Sequence, residues 1–344
     1  MNIRAVRFKD LEAVREIFVS AFREEYGRRG VDIGAQVSRW KKMYPLIRVL
    51  GTFPNPYRYM LNLQVCDDEG MIRGFIQTSP GNSERTRWHI DYVAVHPESQ
   101  GRGIGVKLVE NVFDRYGVRG VKSFTLEVDA VNAPALRLYE KLGFRQYATV
   151  TYMQLEKPPE VKGLPIPGLR PYQGSDAQGL FELYLACTPA PVRLVDTRKP
   201  GDFAVGFVER TMADMRRRMK HVADERFVVE HDGKVVAFMR VMAQMRALPH
   251  TIHLTMNPGF EHLYQPLLDH AAAVLAGYPT NPVLSWAPDY QPSKLKALQE
   301  WGMQTLTVDR CLVRDTMIAL KLPVKEGVSV ADDKAFKPAY TQKI

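Results

Sequence analysis

The chain has 344 residues, 45% of them hydrophobic and 25% charged, the composition of a soluble globular protein of one to three domains. Its net charge of +9 is spread evenly, with 23 Lys and Arg against 18 Asp and Glu over 1–156 and 24 against 20 beyond. No basic arm or stripe marks a nucleic-acid partner, no apolar run reaches the ~18 residues of a membrane span, and the three scattered cysteines (Cys66, Cys187, Cys311) exclude a disulfide framework or a zinc spacing.

The N-terminus carries no signal-peptide apolar region. A cytoplasmic protein without metal is expected. In chain order, strands are expected near 2–7, 58–66, 71–78, 86–95, 122–128 and 145–155, and helices over 10–25, 103–116 and 133–142, with a further helix before residue 58. Apolar spacing at Val14, Ile17 and Phe18, and at Leu108, Val109 and Val112, is helical. Asp68-Glu69-Gly70 reads as a hairpin turn. Strands and helices alternate after residue 90, as in a mixed sheet covered by helices.

Residues 157–168, KPPEVKGLPIPG, read as a linker, because four prolines and two glycines oppose regular pairing. Beyond it the pattern recurs as a distant internal repeat. At an offset of 166, Ile3, Arg4 and Asp10 fall on Leu169, Arg170 and Asp176. Gly70 and Phe75 fall on Gly233 and Phe238 at 163, Pro97 on Pro258 at 161, and Gly143 on Gly302 at 159. Asp10 and Asp176 stand where helix N-caps belong. The domains expected are 1–156 and 169–323, with a polar tail at 324–344.

The stretch WHIDYVAVHPESQGRGIGVKLVENVFDRYG is the most informative. An apolar strand runs through a proline turn into Gln100-Gly101-Arg102-Gly103-Ile104-Gly105, which opens an amphipathic helix at Val106. Helix N-termini present unpaired N–H groups and a positive dipole end, and therefore hold phosphates. Glycines let the backbone take positive φ and approach an anion. A pyrophosphate can rest on the N–H groups of 101–106, with Arg102 adding charge at the rim. The spacing is not the G-x-G-x-x-G of a dinucleotide fold.

Downstream stands Asn132-Ala133-Pro134-Ala135-Leu136-Arg137-Leu138-Tyr139-Glu140-Lys141-Leu142-Gly143-Phe144. Strand, Q-x-x-G-x-G, helix, strand and N-x-x-A-x-x-L-Y-x-x-x-G-F together resemble the GNAT superfamily of N-acetyltransferases over roughly residues 1–156. The resemblance implies an α/β fold of two tandem GNAT-like domains, each a mixed, mostly antiparallel twisted sheet flanked by helices. It implies acetyl-CoA as acyl donor, without metal. The family's donor contacts carry over to Val93, Ala94 and Val95, to Gln100, Gly101, Arg102, Gly103, Ile104, Gly105 and Val106, and to Asn132. It also implies a strand bulge near Val93 to Val95 that leaves N–H groups free for an oxyanion.

Acyl transfer from a thioester needs a neutral amine, a stabilised carbonyl oxygen and a protonated leaving thiolate. The resemblance makes Tyr139 the acid. It lies seven residues after Asn132, on the same helix face; the plain alternative is a ring packed in the core. For the base, His89 and Asp91 are candidates beside their structural readings, and Glu127 is a third through water. Strand alternation places His89, Asp91, Val93 and Val95 on one side. Trp40, Tyr44, Phe53, Tyr57 and Tyr59 in segment 30–60 suit an apolar acceptor pocket.

In the second half, Gln100, Gly103 and Gly105 fall on Glu261, Tyr264 and Pro266, Asn132 on Gln291, and Tyr139 on Leu298. A degenerate copy that does not hold acetyl-CoA is therefore expected. It would complete the acceptor pocket, or brace the active half or a homodimer. The expected activity is acetyl transfer to an amine of a small molecule or peptide. The alternative is a non-catalytic acyl-CoA sensor.

Overall fold

The computed structural model describes residues 1–28, 62–82, 84–161, 165–206, 211, 215 and 221–316. The acceptor segment 30–60 with its five aromatics, the helix expected within it, and the tail 324–344 lie outside the described residues. So do positions 162–164 of the linker.

The first half runs β1 (Asn2–Ala5), α1 (Leu11–Arg28), β2 (Leu63–Asp68), β3 (Met71–Pro80), β4 (Arg87–Val95), α2 (Ile104–Gly117), β5 (Ser123–Asp129), α3 (Ala133–Lys141) and β6 (Arg145–Leu155). The second runs β7 (Leu169–Pro171), α4 (Ala177–Cys187), α5 (Ala190–Val195), β8 (Val222–His231), β9 (Lys234–Gln244), β10 (His250–Met256), α6 (Tyr264–Leu275), β11 (Val283–Pro288), α7 (Pro292–Glu300) and β12 (Gln304–Asp315). Helical periodicity decides the packing. Val14, Ile17 and Phe18 of α1 bury against Leu63, Val65 and Phe75 on one face of the sheet. Leu108, Val109 and Val112 of α2 bury against Phe124 and Leu126 on the other. The hairpin turns hold Glu69 and Gly70, and Asp232 and Gly233, at positive φ, as their turn residues require.

Among the described residues twelve strands form one sheet, in the order β1-β2-β3-β4-β5-β12-β6-β11-β10-β9-β8-β7. Of these, only β4 with β5 and β10 with β11 pair in parallel. The order is symmetric about its centre. Each half contributes five strands in sequence, and its last strand is given to the other: β12 pairs with β5 and β6 with β11. The two exchanged strands pair antiparallel at the middle. The two expected sheets are thus continuous.

One ion-pair arrangement occurs twice. Arg4 binds Asp10 at 2.6 Å and Asp67 at 2.8 Å; Arg170 binds Asp176 at 2.8 Å and Glu230 at 2.9 Å. Asp176 stands at the N-cap position of α4, as expected, but its side chain makes no cap hydrogen bond, and Asp10 ends the short 3-10 turn that leads into α1. Each carboxylate reaches back to an N–H three residues earlier, on Arg7 or Gln173, and ties strand to helix through the arginine. The halves also touch directly. Buried Arg87 on β4 donates to the carbonyl of Val195 and, at 2.9 Å, to Asp196.

Candidate active site

Gly101 and Gly103 adopt φ of +75° and +74°, and Gly103 is the left-handed N-cap of α2. A Cβ at either would meet nothing within 4 Å, so these glycines serve backbone conformation and leave open space above the helix end. Gly105 serves packing: a Cβ there would lie 2.9 Å from Leu138 Cδ1 of α3. The N–H groups of 101–106 donate to no backbone carbonyl among the described residues, which is the cradle that a phosphate needs. Arg102 is exposed at the rim, 3.6 Å from Asp68, and Gln100 is exposed beside it.

β4 and β5 pair only from Arg87–Ser123 to His89–Thr125 and then part. On its other edge β4 stays paired with β3 through Val95, but the register slips so that Asp91 is an extra residue between Ile90 and Tyr92. The bulge therefore lies at Asp91, upstream of the expected 93–95. It also corrects the single-face reading of His89, Asp91, Val93 and Val95. Trp88 and Ile90 pack toward α2, and past the bulge Val93 and Val95 do so instead. Tyr92 and Ala94 then turn to α1. His89 and Asp91 keep the face opposite to Val93 and Val95, because one inserted residue reverses alternation.

His89 Nδ1 lies 3.1 Å from Thr125 Oγ1. Burial holds its pKa below the ordinary imidazole value, opposed by the charge of Asp91, so the ring is neutral near pH 7. Burial pushes Asp91 up, opposed by a hydrogen bond from Ser79, whose Oγ donates at 2.8 Å. The other carboxylate oxygen of Asp91 is buried without a partner. Thr125 and Ser79 escaped sequence reasoning; Thr125 had only its strand alternation with Glu127 as a signal, and Ser79 had none. Glu127 is exposed and accepts from the Tyr152 hydroxyl at 2.8 Å.

Tyr139 lies on the α2 side of the sheet, 8% exposed, with its ring edge-on to Phe144 at 5.5 Å. Burial raises its pKa above the ordinary phenol value, so the hydroxyl keeps its proton. Asn132 caps α3, its Oδ1 accepting from Ala135 N–H at 3.1 Å. Sequence reasoning had placed Asn132 and Tyr139 on one helix face. The structure separates them by exposure: Asn132 at the open end, Tyr139 in the core.

Residues 11–144 match the model of the acetyltransferase (GNAT) family. They form a GNAT-family domain. [Ribosomal protein bS18]-alanine N-acetyltransferase of Salmonella typhimurium is 40% identical over 94 residues, which are 27% of this chain and 61% of that protein. The chain thus spans about three fifths of that relative's length. The crystal structure of a GCN5-related N-acetyltransferase from Sphaerobacter thermophilus matches 91% of this chain and 95% of its own, with a TM-score of 0.60 at 13% identity. A tandem GNAT protein from the clavulanic acid biosynthesis pathway matches 78% and 87%, with a TM-score of 0.52 at 14% identity. At those identities the two structures establish a shared fold alone. The GNAT match ends before β6, so the exchanged strands and the second half lie outside it.

Proposed function

We propose that the chain moves an acetyl group from acetyl-CoA to an amine of a small molecule or peptide by direct transfer, in the wedge where β4 and β5 part. The carrying observation is the union of that wedge with the unpaired N–H cradle of 101–106 at its mouth. The cradle suits the pyrophosphate of the donor, whose thioester supplies the activated acyl group. The strand edge at Val93 to Val95, unpaired toward β5, and the Asn132 amide suit the rest of the donor.

The two sides of the sheet divide the chemistry. Tyr139, on the α2 side, stays protonated and donates to the departing thiolate. The neutral imidazole of His89 and the buried carboxylate of Asp91 face the other side, where they accept the proton of the attacking amine. N–H groups of β4 beyond His89, where it no longer pairs with β5, hold the negative charge developing on the carbonyl oxygen. The domains 1–156 and 169–323 divide the labour, the first holding the donor and the second completing the acceptor side.

The test is calorimetric titration of the full chain with acetyl-CoA, followed by thiol release over a panel of amino acids, polyamines, aminoglycosides and peptide N-termini. Binding with release that depends on one amine class is expected. Binding without release for any amine favours an acyl-CoA sensor, and failure to bind acetyl-CoA overturns both.

A further inference from the structure

A half-open cavity of about 540 Å³ lies mostly in the second half, with Val150 of β6 on its wall, within the range of small-molecule sites. It lies where β10 and β11 part. These strands pair at His250–Val283 and Thr251–Leu284, and beyond that point His253 and Thr255 on β10 and Trp286 on β11 line the space. The wedge of the first half is thus repeated, but it is finished differently. β10 pairs with β9 without a bulge. Helix α6 opens on buried Leu263 and Tyr264 in place of glycines. Lys294, from the first turn of α7, is 1% exposed and donates from Nζ to the Leu254 carbonyl at 2.7 Å. At the repeat offset of 161, Leu254 stands where Val93 stands in the first half. A lysine therefore occupies the strand edge that the first half leaves open.

The lining points to another ligand. His253 stacks on Trp286 with centroids 5.0 Å apart and planes at 20°, and Phe238 stands edge-on to His253 at 6.1 Å. The stacked pair and Phe238 give the cavity an aromatic side. Basic side chains outnumber acidic ones around it, Arg198, Arg226, Arg240 and Lys294 against Asp196 and Asp202. Arg240 shares its partner Asp224 with Arg226, each at 2.8 Å. Among the described residues Lys294 Nζ makes one hydrogen bond and lies 5.8 Å from the Trp286 ring centroid, and burial lowers its pKa to about 7. His253, buried beside Lys294 and Arg240, is held neutral, its pKa lowered to about 3. A bound anion would restore the charge on Lys294, and a bound cation would oppose it.

We propose that this cavity binds a small aromatic carboxylate, its ring against Trp286 and His253 and its carboxylate toward Lys294 and Arg240, at a site separate from the donor loop. With Asp224 counted, four basic groups face three acidic ones, so with Lys294 protonated the wall keeps one positive charge that a carboxylate offsets and a cation adds to. The site does not depend on the first half being a catalyst.

The test uses the full chain in calorimetry at pH 6.5, with indole-3-acetate and phenylacetate set against their amides and against tryptamine. Each acid is expected to bind once per chain, at least tenfold more tightly than its amide, with tryptamine weakest. Saturating acetyl-CoA should leave these affinities unchanged. Lys294→Met and Arg240→Gln should each weaken the acids tenfold or more and leave the amides alone. Acids that bind no better than their amides, or competition with acetyl-CoA, would overturn the proposal. The ligand ranking on the unaltered chain decides the matter even if a variant fails to fold.

Discussion

Tyr139 and the His89–Asp91 pair sit on opposite sides of one sheet, so each can be altered without touching the other. Replacing Tyr139 by Phe keeps the ring against Phe144 and removes only the hydroxyl. Turnover is expected to fall by about 10²-fold or more while the acetyl-CoA dissociation constant stays put; an unchanged rate removes Tyr139 as the acid. The base is separable by pH. The Asp91 charge raises the pKa of His89 against burial. If the imidazole is the base, Asp91→Asn moves the acidic limb of kcat/KM to lower pH and leaves the plateau. If the carboxylate is the base, the plateau itself collapses. The Arg4–Asp10 and Arg170–Asp176 pairs act on stability instead. Their arginines depress both carboxylates, so this stabilisation is present above the ordinary carboxylate pKa and is lost as pH falls through the lowered values. Arg4→Met, which leaves Asp10 buried without its charged partner, is expected to cost about 2–3 kcal/mol in urea denaturation at pH 7, with the deficit shrinking in acid.

At the level of elements, the glycine loop is two devices in one hexapeptide. Positive φ at Gly103 shapes the cradle, whereas Gly105 lets α3 approach α2. Gly105→Val drives a side chain into Leu138 and is expected to cost about 1–3 kcal/mol, lowering the thermal midpoint with or without donor. Gly103→Ala strains the N-cap by about 1 kcal/mol and should chiefly weaken acetyl-CoA binding. The elements themselves were legible in the sequence because their periods are local: 3.6 at Leu108, Val109 and Val112, and turn residues at Glu69 and Gly70. Asp91 was legible as a candidate but not as a bulge, because a one-residue register slip depends on which residue of β3 faces it. The capping positions at 10 and 176 were legible, but not their side-chain partners, because the arginine that claims each carboxylate lies six residues earlier, across a turn.

For the whole molecule, the least legible feature is the exchange of β6 and β12. Both strands have ordinary alternating sequences, and nothing local tells β12 to lie against β5 rather than within its own half. Ser123 pairs with Asp315 across most of the chain, and such pairing is set by topology rather than propensity. The exchange also joins the second-half cavity to the first half, since Val150 on β6 lines it, and Arg87 on β4 anchors the Val195–Asp196 segment beside it. A chain ending at residue 303 keeps the loop, the wedge and Tyr139, yet leaves the edge of β5 bare. It is expected to aggregate and to lose acetyl-CoA binding, as light scattering and calorimetry would report; a monomer with undiminished affinity would show that β12 is dispensable.

The exchange has a consequence in time. A ribosome delivers β5 long before β12, so the first half waits, with an open sheet edge, until nearly the whole described chain has emerged. Such an edge invites pairing with other strands, and β6, already synthesised, is the nearest substitute. Where β6 takes that edge first, folding is expected to slow, because β12 must displace a provisional partner before the exchanged sheet can close.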